Sequence, residues 1–491
     1  MLFNSIEFLI FFPIVTILYF VLPFRFRWAL LLAASCYFYM AFVPIYMLIL
    51  GFTIVVDYYA GIYIEQSEGK KRKFYLTLSL IANIGVLAIF KYYNFLNDNV
   101  TWLLKGFALE NPIPYLKILL PIGLSFHTFQ AMSYTIEVYR GNQKAERHFG
   151  IYSLYVMFYP QLVAGPIERP QNVLHQFYEK HSFDYQRVTD GLKLMAWGMF
   201  KKVVIADRLA VMVNQVYNDP YHQTGIPLIV ATALFSIQIF CDFSGYSDIA
   251  LGSAQVMGFE LMKNFDRPYY SKTISEFWRR WHISLSTWFR DYLYFTMGGN
   301  RVSKWRREYN LFIVFLVSGI WHGASWNFVI WGAIHGFYLV FANQTATFRN
   351  KIVNAIGLPK FPTLYKIVQV ITIFCLTSFA WIFFRAVDFK SASYIATHLF
   401  TGLGEQLQQI GTKAFIEKNI FLGQGITNFA MIVFALFVME VVHFFQRGQS
   451  LRTVINQKPL LVRWVLYYGI ILAILFLGMY DAPSQFIYFQ F

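Results

Sequence analysis

Charged residues are scarce in this chain. Only 14% of its 491 residues are charged, whereas 57% are hydrophobic. Soluble globular proteins carry roughly 25% charged residues. Because a soluble fold must keep a polar exterior, it could not absorb this much apolar surface. The composition therefore excludes a soluble enzyme and indicates a protein whose exterior faces lipid.

Cysteine is also rare, and Cys36, Cys241 and Cys375 lie far apart in apolar surroundings. No pair has the CxxC spacing, so the sequence predicts neither a disulfide framework nor a zinc site, and it implies no metal. The patterns GxxxxGKS/T, GxSxG, HExxH and GxGxxG are absent as well. Their absence excludes the commonest nucleotide-binding and hydrolase classes.

Long apolar runs recur along the whole chain. A membrane-spanning helix needs about 20 mostly apolar residues, and we expect an all-α polytopic membrane protein with about 10 to 12 spans. The first run lacks the basic flank and cleavage site of a signal peptide, so we interpret it as the first span. We expect one membrane-embedded domain over 1–491. The expected spans are 5–22, 28–43, 45–62, 75–96, 115–138, 190–212, 226–246, 311–322, 326–345, 364–385, 425–446 and 464–481.

Three shorter stretches differ from these spans. The stretches 150–166 and 246–263 are typical of partial or re-entrant segments, which persist only where protein or a cavity covers them. The stretch 264–310 is too polar to span, yet it is rich in tryptophan. We interpret it as an amphipathic helix lying in the membrane interface.

The net charge of +15 would suggest a nucleic-acid partner in a soluble protein. Here Lys and Arg fall in short loops between apolar runs, which is typical of cytoplasmic loops. We therefore expect no nucleic acid, and we expect both termini, including an aromatic tail at 483–491, on the external side. The basic loops that set this orientation are 25–27, 70–73, 140–147 and 447–463.

Two histidines within apolar runs, His322 and His335, are each followed by glycine, and a third, His282, lies in the tryptophan-rich stretch. Small neighbours allow a ligand or another helix to approach closely. Histidine accepts a proton near neutral pH, and an acyl-acceptor hydroxyl must lose one. A histidine at membrane depth also serves as a hydrogen-bonded bridge between spans. The residues alone leave both interpretations open.

Several ordered sequence blocks carry a family resemblance. They are 121–126 (PIGLSF), 159–169 (YPQLVAGPIER), 242–248 (DFSGYSD), 277–286 (FWRRWHISLS), 290–294 (RDYLY), 298–301 (GGNR) and 321–323 (WHG). Together they resemble the membrane-bound O-acyltransferase family over nearly the whole chain. Its alginate O-acetyltransferase branch, which is related to the D-alanine transfer protein of teichoic acid synthesis, is the most similar.

The resemblance implies a ring of tilted helices around a central funnel, with re-entrant and interfacial helices. It implies that His322 is the invariant histidine, acting as general base, and that His282 is the second, assisting position. It also implies that acetyl-CoA enters from the cytoplasm of a bacterial inner membrane. A periplasmic acetyltransferase of the SGNH or alginate-modifying type would then complete transfer to an exported, alginate-like polysaccharide.

The acyl donor is highly charged and needs a basic site. We expect its phosphates at Arg279, Arg280 and Arg301, with Lys304 as a further candidate, and we place Trp278 and Trp321 in the same site. The alternative for each cation is the ordinary excess of positive charge in cytoplasmic loops.

The aromatic tail resembles a terminal motif of cell-surface acyl-transfer systems in which a tyrosine carries the acyl group. That residue corresponds to Tyr488. A phenol with a pKa near 10 is a better leaving group than an alkyl alcohol, so an aryl ester is a competent relay. The alternative is an aromatic anchor at the membrane interface.

Two rival functions remain open. One is transfer of another acyl group by the same mechanism, such as D-alanine, or acylation of peptidoglycan. The other is a proton-coupled transporter or export subunit that uses the histidines as a proton relay. An inverted repeat with broken helices would favour transport, and the sequence contains no such repeat.

Overall fold

Helices account for the regular structure of the part of the chain that the structure describes. The computed structural model describes residues 1–117, 121–446, 451–480 and 485–487. No strand occurs within these ranges. The expected all-α fold is confirmed.

Six described helices are long and apolar enough to cross a membrane. They are Tyr46–Gln66, Gly69–Gly106, Ile226–Met257, Pro362–Arg385, Ile426–Phe445 and Leu460–Leu477. The last has a mean hydropathy of 2.3 and none of its apolar window is buried. An apolar helix without protein cover needs lipid around it. The chain is thus a multi-pass membrane protein, while the expected number of spans, the ring and the funnel stay predictions.

The chain forms two compact units. One comprises Met1–Ala196 and Tyr246–Met262, and the other comprises Trp197–Gly245 and Lys263–Phe491. The helices Tyr185–Met199 and Ile226–Met257 each contribute residues to both units. The single domain expected over 1–491 stays a prediction.

The first unit packs its helices around buried polar side chains. Fully buried Asp57 accepts hydrogen bonds from Ser79 at 2.6 Å and from Asn83 at 2.8 Å, and the Ser79 hydroxyl also lies 3.0 Å from that of Thr135. Bonds of this kind join helices where water is excluded. The other regular elements are the helices Ile6–Val21, Phe24–Met40, Tyr46–Gln66, Gly69–Leu87, Tyr93–Gly106, Leu124–Arg140, Phe149–Met157, Tyr159–Leu162 and Pro170–Val173, the π-turn Ala88–Tyr92 and the 3-10 turn Leu174–Tyr178.

The second unit contains the histidines of interest. Its described helices are Asp207–Tyr217, Ile274–Arg280, Ile283–Phe289, Lys304–His322, Trp326–Gln344, Ala346–Ala355, Pro362–Arg385, Phe389–His398, Leu403–Gln409, Lys413–Asn419, Ile426–Phe445, Leu451–Asn456 and Leu460–Leu477. π-Turns occupy Phe200–Ala206 and Arg290–Tyr294, and 3-10 turns occupy Pro220–His222, Pro268–Tyr270 and Leu358–Lys360.

The structure corrects the interpretation of 246–263 as re-entrant. Most of this stretch continues the 32-residue helix Ile226–Met257. Its polar residue Ser253 is buried, and Gly252 packs so closely on Gly191 that a Cβ there would lie 2.6 Å from the Gly191 oxygen. Because protein covers the polar positions, the helix has no need to break.

The single amphipathic helix expected within 264–310 is also wrong. Two short helices, Ile274–Arg280 and Ile283–Phe289, form instead, because His282 between them has a φ of 44°. Thr273 caps the first, accepting from the Glu276 amide at 3.1 Å. Trp278, Trp281 and Trp288 are buried in protein at 1–6% exposure, whereas Trp305 is 79% exposed.

Close backbone contact joins the Lys304–His322 and Trp326–Gln344 helices into a hairpin. A Cβ on Gly319 would lie 2.3 Å from the Phe328 oxygen, and one on Gly332 would lie 2.4 Å from the Phe315 oxygen. Only glycine permits this approach. The small residues beside His322 therefore admit the neighbouring helix.

Gly319→Ala should force these helices apart and destabilise the fold, since overpacking typically costs about 1–3 kcal/mol. The measurement is the thermal unfolding midpoint of detergent-solubilised protein. Gly469→Ala is the matched control, because a Cβ there meets nothing within 4 Å. We expect a lower midpoint for Gly319→Ala and an unchanged midpoint for Gly469→Ala. Equal midpoints for Gly319→Ala and the unsubstituted protein would contradict the close contact.

Candidate active site

His322 is the last residue of the Lys304–His322 helix and is only 5% exposed. Its ring packs against Trp321, Trp331 and Phe384, with centroid distances of 5.0, 4.9 and 5.3 Å. The carboxyl end of a helix carries partial negative charge, which favours the imidazolium formed when the ring accepts a proton. The position suits a general base.

His282 is fully buried and strained, since a positive φ is unfavourable for a residue with a Cβ. Its Nδ1 lies 3.2 Å from Oδ1 of Asn264, and the same oxygen accepts from the Ser284 hydroxyl at 2.8 Å. Because that oxygen is an acceptor, Nδ1 carries the proton and Nε2 carries the lone pair. Burial lowers the pKa of His282 to about 3, so the ring is neutral at physiological pH.

A continuous aromatic cluster connects the two histidines within the second unit. Successive ring centroids along it lie 4.7–5.7 Å apart. From His322 to His282 the intervening rings are Trp331, Trp381, Trp281, Phe265 and Phe243. Such a cluster excludes water from the interior and fixes the orientation of both imidazoles.

A cavity of about 880 Å³ opens beside this cluster. Arg279 and Arg290 are the exposed cations of its lining, with half-exposed Arg307. Its buried lining consists of Trp278, Leu285, Phe289, Tyr294, Val314, Ser318 and Leu339. Ser318 lies one helical turn before His322 and therefore on the same helix face. The cavity thus has a cationic rim and a largely apolar interior, and one wall is formed by the helix that ends at His322, although His322 itself does not line the cavity.

Comparison with known proteins identifies the family of this chain. The family model of the membrane-bound O-acyltransferases matches residues 148–386. The probable alginate O-acetylase AlgI of Pseudomonas aeruginosa is 37% identical over 414 residues, which cover 84% of this chain and 77% of that protein. The chain belongs to the membrane-bound O-acyltransferase family. It is therefore a membrane O-acyltransferase.

More distant relatives of this O-acyltransferase differ in their named acceptors. The peptidoglycan O-acetyltransferase of Helicobacter pylori is 34% identical, over 74% of this chain and 71% of that protein. The teichoic acid D-alanyltransferase of Streptococcus thermophilus is 30% identical, over 45% of this chain and 56% of that protein.

The residues of this O-acyltransferase that were expected at the donor site lie in different surroundings. Arg279 lines the cavity and has no ion-pair partner in the described ranges, whereas Arg280 pairs with Glu276 at 2.6 Å. Trp278 lines the cavity, but Trp321 packs on His322. Exposed Arg301 and Lys304 do not line this cavity. A donor-binding role for each stays a prediction.

Two cavity arginines, Arg290 and Arg307, were not among the donor-site residues expected from the sequence. Arg307 begins a stripe with Leu311, Val314 and Ser318 at helical spacing, and all four line the cavity. The same helical spacing continues to His322, so this periodicity could have predicted from the sequence that Arg307 lies on the His322 face of the helix. Arg290 offers no comparable signal.

His335 occupies a third position in the aromatic interior of the O-acyltransferase. It is fully buried, and its ring lies 4.8 Å from both Trp278 and Trp331. Neither ring nitrogen has a hydrogen-bond partner in the part of the chain that the structure describes. It therefore does not form the interhelical bridge that its sequence context left open.

Tyr488 lies outside the described residues. The two residues before it are described, and both are buried at 2% exposure. The Phe486 ring lies 5.6 Å from Phe243, and Phe243 lies 4.7 Å from His282. This part of the tail therefore packs in the second unit, while the external side expected for 483–491 stays a prediction.

Arg279→Glu should raise the KM for an acyl-CoA donor by about 10-fold or more, because it removes a charged contact and adds repulsion. Initial rates of acyl transfer at varied donor concentration measure this. Arg280→Glu is the neighbouring control, and its KM should change less, since Arg280 already binds Glu276. An unchanged KM in Arg279→Glu would remove this residue from the donor site.

Proposed function

We propose that this chain transfers an acetyl group from cytoplasmic acetyl-CoA across the inner membrane for O-acetylation of an exported, alginate-like polysaccharide. The observation that carries the proposal is the cavity with arginines at its exposed rim and an apolar wall leading to His322. Its similarity to an alginate O-acetylase supports the acceptor class.

The shape and charge of the cavity suit the chemistry of acetyl-CoA. Its volume of about 880 Å³ falls within the roughly 300–1,000 Å³ of ordinary ligand sites. Arg279 binds the donor phosphates, and the apolar interior receives the pantetheine arm and the small acetyl group. Arg290 and Arg307 add positive charge to the rim, although each also forms an ion pair, with Asp291 at 2.8 Å and with Glu308 at 2.9 Å. Excluding water there protects the thioester from hydrolysis.

His322 acts as general base and His282 as an assisting residue. Histidine can take the proton of an attacking hydroxyl at neutral pH, and the helix end stabilises the resulting imidazolium. Because His282 is neutral and its proton lies on Nδ1, its Nε2 can accept a hydrogen bond from a reacting group. In this role His282 orients that group and does not take up its proton.

Tyr488 serves as the acyl relay. His322 accepts the phenolic proton, the phenolate oxygen attacks the thioester carbonyl, and the C–S bond breaks. CoA leaves as the thiol after receiving that proton from His322. A hydroxyl of the acceptor then attacks the aryl ester, and the phenol is restored. Burial of Phe486 and Ile487, the two residues before Tyr488, supports a tail that reaches the interior.

A periplasmic partner of the SGNH or alginate-modifying type completes the transfer. The basic loops lie on the cytoplasmic face in our topology, so they do not face an external polyanionic sugar. A separate protein that binds the polysaccharide is therefore required. Both termini are periplasmic in the same topology.

His322→Ala should reduce acetyl transfer by about 10²–10⁴-fold, the usual contribution of a general base, while membrane insertion stays intact. Polysaccharide acetylation in cells and transfer in isolated membranes are the two readouts, and the amount of membrane-inserted protein is the control. Normal acetylation with normal insertion would refute the base assignment.

Tyr488→Phe should abolish transfer, because the substituted ring has no oxygen to esterify. Membranes incubated with radiolabelled acetyl-CoA should carry label on Tyr488 of the unsubstituted chain. Tyr480→Phe is the matched control. It removes a nearby phenolic hydroxyl that precedes the tail and donates to the Ile474 oxygen at 2.8 Å. Full activity of Tyr488→Phe would show that this segment is only an anchor.

D-Alanyl transfer is the second candidate, favoured by the similarity to a teichoic acid D-alanyltransferase. The same labelling experiment separates the two. Acetyl-CoA should label the chain, whereas a D-alanyl carrier protein should not. The reverse pattern would change the acyl group while keeping the mechanism.

A further inference from the structure

A buried ion cluster lies apart from the chemistry described above. Lys202, in the π-turn Phe200–Ala206, contacts Asp207 at 2.8 Å and Asp242 at 2.7 Å. The three side chains are at most 5% exposed. Burying such charges is costly unless they are well paired, and here each carboxylate contacts the ammonium group.

The cluster also contacts the C-terminal segment of the same chain. The backbone N–H of Ile487 donates to Oδ2 of Asp242 at 2.7 Å. The other oxygen of that carboxylate, Oδ1, faces the Lys202 ammonium. Asp242 therefore divides its oxygens between a fixed cation and the tail backbone, and the lysine orients the carboxylate.

The same π-turn also contacts the chain just before the tail. The amide of Met479 donates to the Val203 oxygen at 2.9 Å. Arg208, just beyond the turn, donates to the Leu477 oxygen at 2.7 Å and to Asn428 at 3.0 Å. In a π-turn the i to i+4 ladder is interrupted, which makes a backbone oxygen available to another segment.

The docked residues lie beside the second histidine. Asp242 precedes Phe243, whose ring lies between those of Phe486 and His282, at 5.6 and 4.7 Å. Thus the residue that binds the Ile487 amide is adjacent in sequence to the one that separates the tail from His282. A shift of the tail along this contact would change its depth in the aromatic cluster.

We infer that the Lys202–Asp242 pair is a docking site for the chain's own C-terminal segment and that Asp242 is a positioning residue for acyl transfer. This rests on the proposed relay, since docking fixes the residue directly before Tyr488. It assigns a tail-binding function to Asp242, the first residue of the 242–248 block, which has no role in the proposed transfer chemistry. Asp242 acts through the tail and does not touch the acyl group.

The test uses full-length protein in detergent and two independent readouts. The first is the rate at which a carboxypeptidase removes the C-terminal residues, which reports docking without requiring activity. The second is the kcat and KM of acetyl transfer. Asp242→Ala removes the acceptor, and Ile487→Pro removes the N–H donor without altering the buried ion pair. Ile487→Val, which keeps the amide and most of the side chain, is the matched control.

Asp242→Ala and Ile487→Pro should each speed carboxypeptidase release by about 10-fold or more, the usual effect of losing a charged hydrogen bond. In both, kcat should fall while the KM for acetyl-CoA stays unchanged, because the donor cavity is intact. Ile487→Val should resemble the unsubstituted protein. If Asp242→Ala does not fold, Ile487→Pro still tests the contact.

Unchanged release in Ile487→Pro would overturn the docking site. Faster release with unchanged kcat would overturn the positioning role of Asp242. Failure of the proposed function is recognised separately. If Tyr488→Phe is fully active while Ile487→Pro still speeds release, the relay is wrong and the docking site stands.

Discussion

The glycine contact between the Lys304–His322 and Trp326–Gln344 helices is the constraint on which the site depends. Because Gly319 and Gly332 lack side chains, the two backbones meet, and the first helix ends with His322 against Trp331. His335 is carried into the same interior by the second helix. Without this approach, His322 would not pack against Trp331 of the second helix.

The surroundings of His322 and His282 are mostly aromatic and therefore low in polarity. The aromatic cluster leaves few groups to compete for a proton or to hydrolyse a thioester. Two groups of charged residues in the second unit bear on the proposed chemistry. The cavity arginines meet the solvent, and the Lys202 cluster meets the tail backbone. The proposed transfer from a charged donor through an apolar interior requires this separation.

Sequence reasoning succeeded where a signal was local. The apolar runs predicted the membrane helices, and the block around His322 predicted the family. It failed where tertiary contacts decided the outcome. The 246–263 stretch was expected to be partial or re-entrant, but most of it continues the helix Ile226–Met257, whose Ser253 is covered by protein. Arg279 and Arg280 looked equivalent, yet only Arg279 faces the cavity, because Glu276 binds its neighbour.

By itself, the sequence determined that this protein lies in a membrane, is helical and belongs to an O-acyltransferase family, because composition, hydrophobic period and ordered blocks are properties of the chain alone. Only the tertiary structure decided that His282 is strained and neutral, that Arg290 and Arg307 join the cavity, and that Ile487 binds Asp242. These depend on contacts between residues far apart in sequence, and no local pattern encodes such distances.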